Sequence, residues 1–200
     1  MKQMHARIQR MVLSALLIAI GIIIPMFSPI RIVIEPASFT LASHVAIIIA
    51  MFISPFSAAA VAAGTTIGFF FGGFPITVVA RAGSQLIFAV AGAWYLRKHP
   101  DVFTSLWHSL AFVLIISLLH AVGEVIAVLP FYINGSLPSN AFLYQVLILT
   151  GVGTVIHSCV DFILSLAVWN YLLAVRSIAD SAVVKKVKWS FRHQSAAETI

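Results

Sequence analysis

Apolar residues run along this chain in long blocks, broken by short clusters of glycine, proline and charge. The blocks predict helices over about residues 8–27, 41–53, 56–71, 76–95, 102–129 and 141–175. The breaks carry turn chemistry: "SP" at Ser54 and Pro55, "GGFP", "LRKHPD" and "FYINGSLPSN". Between the first and second blocks lies "SPIRIVIEPASFT", which reads as irregular because Pro29 and Pro36 interrupt it. The second and third blocks fall short of the ~20 residues that cross a bilayer squarely. They either tilt within a bundle or are completed by the irregular stretch.

Composition turns this pattern into a class. Hydrophobic residues make up 61% of the 200 positions and charged residues 9%, with a mean hydropathy of +1.05. A soluble domain of this size needs far more surface charge. The expected fold is an all-α membrane protein, a compact bundle of six transmembrane helices. Residues 1–176 form that domain and 177–200 a basic tail, fading from a helical extension into disorder at "QSAAETI". No separate aqueous module is left to hold soluble catalysis. The opening "MKQMHARIQRMVLSALLIAIG" imitates a signal peptide. No small-x-small cleavage site follows promptly, so it reads as the first transmembrane helix.

The net charge of +6 does not point to nucleic acid, because of where it lies. Lys and Arg cluster in the first ten residues, at Arg97 and Lys98, and after Arg176. By the positive-inside rule this places both termini and the fourth-to-fifth loop in the cytoplasm. Trp94, Tyr95, Trp169 and Tyr171 then fall near the inner interface, where amphipathic rings are favoured. Cys159 is the single cysteine, which excludes an intrachain disulfide and a cysteine-based metal cage.

The candidate chemistry sits inside the apolar blocks. "LLHAVGEVIAVLP" places His120 and Glu124 one helical turn apart, and "TVIHSCVDFILSL" does the same for His157 and Asp161. Ionisable groups facing lipid are expensive, so both faces should point into the bundle. Three readings stay open: a buried polar network, a ligand pocket, or a metal site. Arg81 lies about two turns inside the outer end of the fourth helix, with Gln85 one turn further on the same face. Such an arginine wants an anion, from Glu124, Asp161 or a ligand carboxylate. "PASFTLASH" supplies Ser38, Thr40, Ser43 and His44 where the irregular stretch meets the second helix. It reads either as a lid over a pocket or as a helix start capped by Ser38 or Thr40. The glycine-rich "GTTIGFFFGG" lacks a following Gly-Lys-Ser/Thr, so no nucleotide site is implied, and no enzyme signature stands out. Ala15, Ala19 and Gly21, with "SAAAVAAG" in the third helix, offer small surfaces for close helix approach, internal or external.

These features together resemble the substrate-binding S components of energy-coupling-factor (ECF) vitamin transporters. The resemblance is carried by Ala15-x-x-x-Ala19 on the first helix, by "PASFTLASHVAIIIAMFISP" and by "FPITVVARAGSQLIFA", and it covers residues 10–175. It is strongest to the niacin (NiaX-type) group. It implies a membrane subunit that captures a water-soluble vitamin from outside and hydrolyses no ATP itself. A shared transmembrane coupling subunit and two cytoplasmic ATPases complete the importer, so no cofactor is expected in this chain. Ala15 and Ala19 would form the docking surface. Ser38, Thr40, His44, Arg81, Gln85, His120, Glu124, His157 and Asp161 are the pocket candidates, with Arg81 suited to the carboxylate of nicotinate. The two acidic residues leave pyridoxine or hydroxymethylpyrimidine open as alternatives, pantothenate stays open through its carboxylate, and a metal-ion carrier stands behind them. The metal-transporting members begin with a His-rich motif, and here His5 stands alone.

Overall fold

A computed structural model describes residues 2–34, 37–133 and 139–188. The elements in order are helix α1 (Lys2–Phe27), strands β1 (Arg31–Ile34) and β2 (Ala37–Thr40), then α2 (Val45–Ile53), α3 (Pro55–Phe71), α4 (Ile76–Lys98) and α5 (Leu106–Tyr132). The chain continues through the short α6 (Ser139–Phe142), a π-helical stretch (Leu143–Val152), α7 (Gly153–Leu172) and α8 (Arg176–Ser181). Among the described residues, four helical stretches are long and apolar enough to cross a membrane: Arg7–Phe27, Ile76–Lys98, Leu106–Tyr132 and Leu143–Leu172.

The stretch expected to be irregular is a β-hairpin. β1 and β2 pair antiparallel, with Arg31 opposite Thr40 and Ile34 opposite Ala37. Pro29 before the hairpin and Pro36 between its strands disfavour a continuous helix, and the β-branched run Ile32-Val33-Ile34 favours a strand. Pairing also satisfies backbone groups that an apolar setting would leave exposed.

Helix α2 differs from its expected form. It has nine residues, all of them buried, and at ~1.5 Å per residue it covers only about half of a ~30 Å hydrocarbon core. It packs against α1, α3, α4 and α7, so it is a core element without a lipid face. Its run ends at the expected break. The Ser54 hydroxyl caps α3 by accepting from the Ser57 N–H at 3.0 Å, and Pro55 takes the first helical position, where its missing N–H costs nothing.

Helix α3 presents its small face to α1. Ile22 lies over Gly68, where a Cβ would come within 2.4 Å of the isoleucine side chain. Ser14, Leu17, Gly21 and Pro25 are the buried positions of α1, while Ala15 and Ala19 are exposed.

The first part of the segment read as a tail is packed. The N–H groups of Val183 and Val184 donate to the Phe52 carbonyl at 2.9 and 3.1 Å, and the Lys188 N–H donates to Phe103 at 3.0 Å. Ala182 and Val184 are buried. The cause is local: the break at Ser54–Pro55 leaves a carbonyl at the end of α2 without a helical donor, and this segment supplies two. Trp169 is also not at the lipid interface. It is fully buried against Phe52 and donates its indole N–H to the Val184 carbonyl at 3.0 Å. Trp94, Tyr95 and Tyr171 are exposed, as their interfacial reading requires. Residues 189–200, including "QSAAETI", lie outside the described residues.

Candidate functional site

Three helices turn a polar face inward. On α4 the buried positions include Arg81, Gln85, Phe88 and Ala89. On α5 they include Ser117, His120 and Glu124. On α7 they are Thr154, Ser158, Asp161, Phe162, Ser165 and Trp169. Apolar side chains cover the outward faces, so the helices are amphipathic with the polar stripe inside. This is the arrangement expected when the surroundings are lipid.

Arg81 meets Glu124 across α4 and α5. Its Nη2 donates to Oε2 at 2.8 Å, with 7% and 2% of the two side chains exposed. The Thr154 hydroxyl donates to the same carboxylate oxygen. On the other side, His120 Nε2 lies 3.3 Å from Glu124 Oε1, close but outside hydrogen-bonding geometry, because Nε2 has no hydrogen-bond partner among the described residues. His120 is held instead through Nδ1, 3.3 Å from the Ser158 hydroxyl.

Asp161 does a different job. Its Oδ1 accepts from the Ala42 N–H at 2.9 Å and its Oδ2 from the His44 N–H at 3.0 Å. These amides stand at the head of α2, whose N-cap position, His44, makes no side-chain cap of its own. The expected caps, Ser38 and Thr40, are not used: the backbone of both belongs to β2. A carboxylate from a distant helix caps α2 instead, and it satisfies the amides of a turn in which Ala42 adopts φ +67°, a region L-residues rarely enter.

His44 links the two pairs. Its Nδ1 lies 2.9 Å from Asp161 Oδ2, which fixes the proton on Nδ1 and leaves Nε2 as acceptor for the Gln85 amide at 3.1 Å. Its ring centroid lies 4.7 Å from that of His120 and 4.9 Å from that of His157. His157 is 3.4 Å from Asp161 and 3.1 Å from the Ser43 hydroxyl. Arg81, Glu124, His120, His44, Asp161 and His157 thus form one continuous buried network.

A small cavity of about 40 Å³ opens on this network. Of the predicted site residues, Thr40, His44, Arg81, Gln85 and Glu124 line it, together with Ser43, Pro25 and Phe74. His120, His157 and Asp161 stand behind that wall. The side chain of Ser38 lies outside the described residues. That is far below the ~300–1,000 Å³ of a typical small-molecule pocket, so the site in this structure is too tight for a vitamin ring. The hairpin contributes Thr40 to its wall. The Phe39 ring lies 5.8 Å from the Arg81 guanidinium and 5.5 Å from the His157 ring. It also sits so close to Gly153 that a Cβ there would come within 2.6 Å of its edge.

Thr154, Ser158, Phe39 and Phe88 were not singled out from the sequence. The first two had a legible signal: Thr154, Ser158, Asp161 and Ser165 recur at helical spacing in an otherwise apolar run. Phe39 and Phe88 had none, because aromatic residues are common throughout the chain.

No protein-family model matches the chain, and no solved structure matches it. A curated relative does. The niacin transporter NiaX of Lactococcus lactis subsp. cremoris (strain MG1363) is 38% identical over 170 residues, covering 84% of this chain and 76% of that protein. That relative is a transporter and not an enzyme. Identity at this level over most of both sequences, together with four helices able to cross a bilayer, makes this a multi-pass protein of the bacterial cell membrane, and the chain belongs to the NiaX-type family of S components that its second- and fourth-helix stretches resemble.

Proposed function

We propose that this protein captures niacin at the outer side of the membrane and delivers it inward as the substrate-binding subunit of an ECF-type importer. The observation that carries the reading is Arg81, buried on α4 and lining a small cavity beside Gln85, His44 and Glu124. A guanidinium in such a setting matches the planar carboxylate of nicotinate in charge and in bidentate geometry. Gln85 and His44 offer hydrogen-bonding atoms for the pyridine nitrogen, and Phe39, Phe69 and Phe74 offer faces for the ring. The ligand enters when the hairpin lifts, since the cavity as it stands is too small for a ring. In the proposed orientation both termini are cytoplasmic, six helical segments make up the bundle, and the hairpin faces outward. Ala15 and Ala19, exposed on α1, then dock on a shared coupling subunit, and ATP is hydrolysed by two partner ATPases.

Labelled nicotinate should bind the purified protein. Arg81→Ala should weaken binding at least tenfold, or about 1.4 kcal/mol. Failure of the wild type to bind either nicotinate or nicotinamide overturns the niacin reading. Pantothenate, pyridoxine and hydroxymethylpyrimidine in the same assay test the other vitamins.

One observation favours a second reading, a metal-ion carrier. His44, His120 and Glu124, and again His44, His157 and Asp161, hold their ligand atoms within 4.8 Å of one another. The donor set argues against it. Asp161 already accepts from two backbone amides and His44, and Glu124 from Arg81 and Thr154. Stoichiometric metal in gently purified protein, lost on His44→Ala, would reverse this order.

A further inference from the structure

The start of α1, the end of α4 and the turn between α2 and α3 enclose a cleft of about 780 Å³. Its Arg97 lies more than four helical turns along α4 from Arg81, roughly 24 Å at 1.5 Å per residue, and the cleft is separate from the candidate vitamin site. Arg7, Arg10 and Arg97 all line it. Among the described residues none of the three has a carboxylate within 4.0 Å; the four ion pairs found there all belong to the network around His44 and Glu124. The Nε of Arg10 is buried and has no hydrogen-bond partner among the described residues. Three cations in one cleft repel one another unless an anion joins them. The rest of the wall is of opposite character. Met11, Phe56 and Trp94 line the same cleft and are 64%, 72% and 54% exposed.

We infer that this cleft binds an anionic phospholipid, its phosphate held by Arg10, Arg97 and Arg7 and its glycerol and upper acyl chains lying against Met11, Phe56 and Trp94. The argument is complementarity at both ends. Guanidinium groups grip phosphate oxygens in a fork, and basic pockets between transmembrane helices are suited to anionic headgroups. A soluble anion would satisfy the arginines and leave the exposed apolar wall unused. A neutral lipid would do the reverse. The first turn of α3 adds a helix N-terminus to the same wall, which favours negative charge further.

The test uses the full chain, delipidated in mild detergent, with native mass spectrometry as readout. Phosphatidylglycerol and phosphatidylcholine of matched acyl chains are titrated separately, with inorganic phosphate as a competitor. Phosphatidylglycerol is expected to bind at least ~tenfold more tightly. Arg10→Gln/Arg97→Gln should abolish that preference, while Lys185→Gln/Lys186→Gln, which removes two exposed charges that do not line the cleft, should keep it. Equal affinity for the two lipids overturns the proposal. So does a preference that survives Arg10→Gln/Arg97→Gln, or one that falls equally in the lysine control, which would mark diffuse charge. Displacement of phosphatidylglycerol by equimolar phosphate would make this a soluble-anion site and also overturn it. A preference intact in Arg10→Gln/Arg97→Gln, with co-purification of the coupling subunit lost, would assign the arginines to a protein partner instead. Thermal unfolding without lipid checks the fold of the double variant. If it does not fold, Arg97→Gln alone carries the test, because Arg97 is exposed at the end of α4.

Discussion

Asp161 holds His44 twice, accepting from its backbone N–H at 3.0 Å and lying 2.9 Å from its Nδ1. One carboxylate thereby caps a core helix and sets the tautomer of a residue that lines the candidate pocket. The fold and the candidate pocket thus share a side chain.

Replacing Asp161 tests the capping role. Asp161→Ala leaves two buried amides and a buried imidazole without their acceptor, and disruptions of this kind cost about 3–5 kcal/mol. Asp161→Asn should be milder, since its amide oxygen still accepts, although its NH2 group faces donors. Thermal unfolding in detergent should therefore rank wild type above Asn and Asn above Ala. An unchanged midpoint for Ala would remove the capping role.

Glu124→Gln separates pairing from ligand capture. Without the carboxylate, Arg81 is a buried cation short of its counter-charge, so the ligand-free protein should unfold at a lower temperature. Nicotinate brings a carboxylate back, so its thermal stabilisation should be larger in the variant than in wild type. Nicotinamide, which is uncharged, should show no such gain. An equal shift for both ligands would mean that Arg81 does not meet the carboxylate.

Phe39 and Gly153 test the hairpin as a lid. Phe39→Ala removes the ring that covers Arg81 and His157, and nicotinate should dissociate roughly tenfold faster, or about 1.4 kcal/mol in the bound state. Gly153→Ala pushes a methyl into that ring and should also loosen closure. The double variant should be better than the sum of the two singles, because the smaller side chain at 39 makes room for the new methyl. Strict additivity in measured dissociation rates would argue against contact across this point.

The exposed alanines of α1 test docking. Ala15→Trp or Ala19→Trp should abolish co-purification with the coupling subunit and leave vitamin binding intact, because neither residue packs inside the bundle. Unchanged assembly would move the docking surface elsewhere.

Much of the local structure was legible. Ser54 and Pro55 announced a helix break, and the structure has a capped helix start there. The i, i+4 spacing of His120 with Glu124 and His157 with Asp161 put each pair on one face, and they lie 3.3 and 3.4 Å apart. The hairpin was less legible, because its prolines read as interruptions while its β-branched run is only three residues long. The reach of the C-terminal segment was not legible at all. Lys185, Lys186 and Lys188 make it read as a solvated tail, but a carbonyl at the end of α2 and the indole of Trp169 needed partners that only this segment brings near.

The sequence by itself determined that the chain is a membrane bundle, which faces of its long helices are polar, and which family it belongs to. Those follow from hydropathy, helical periodicity and the stretches it shares with its relative, all of which are local in the chain. Only the tertiary structure decided that α2 is buried on every side, that Asp161 caps it from afar, and that His44 joins two separate pairs into one network. These depend on contacts between residues far apart in the chain, 117 positions for Asp161 and His44, where the pairing of a buried donor with its acceptor is set by packing and not by spacing.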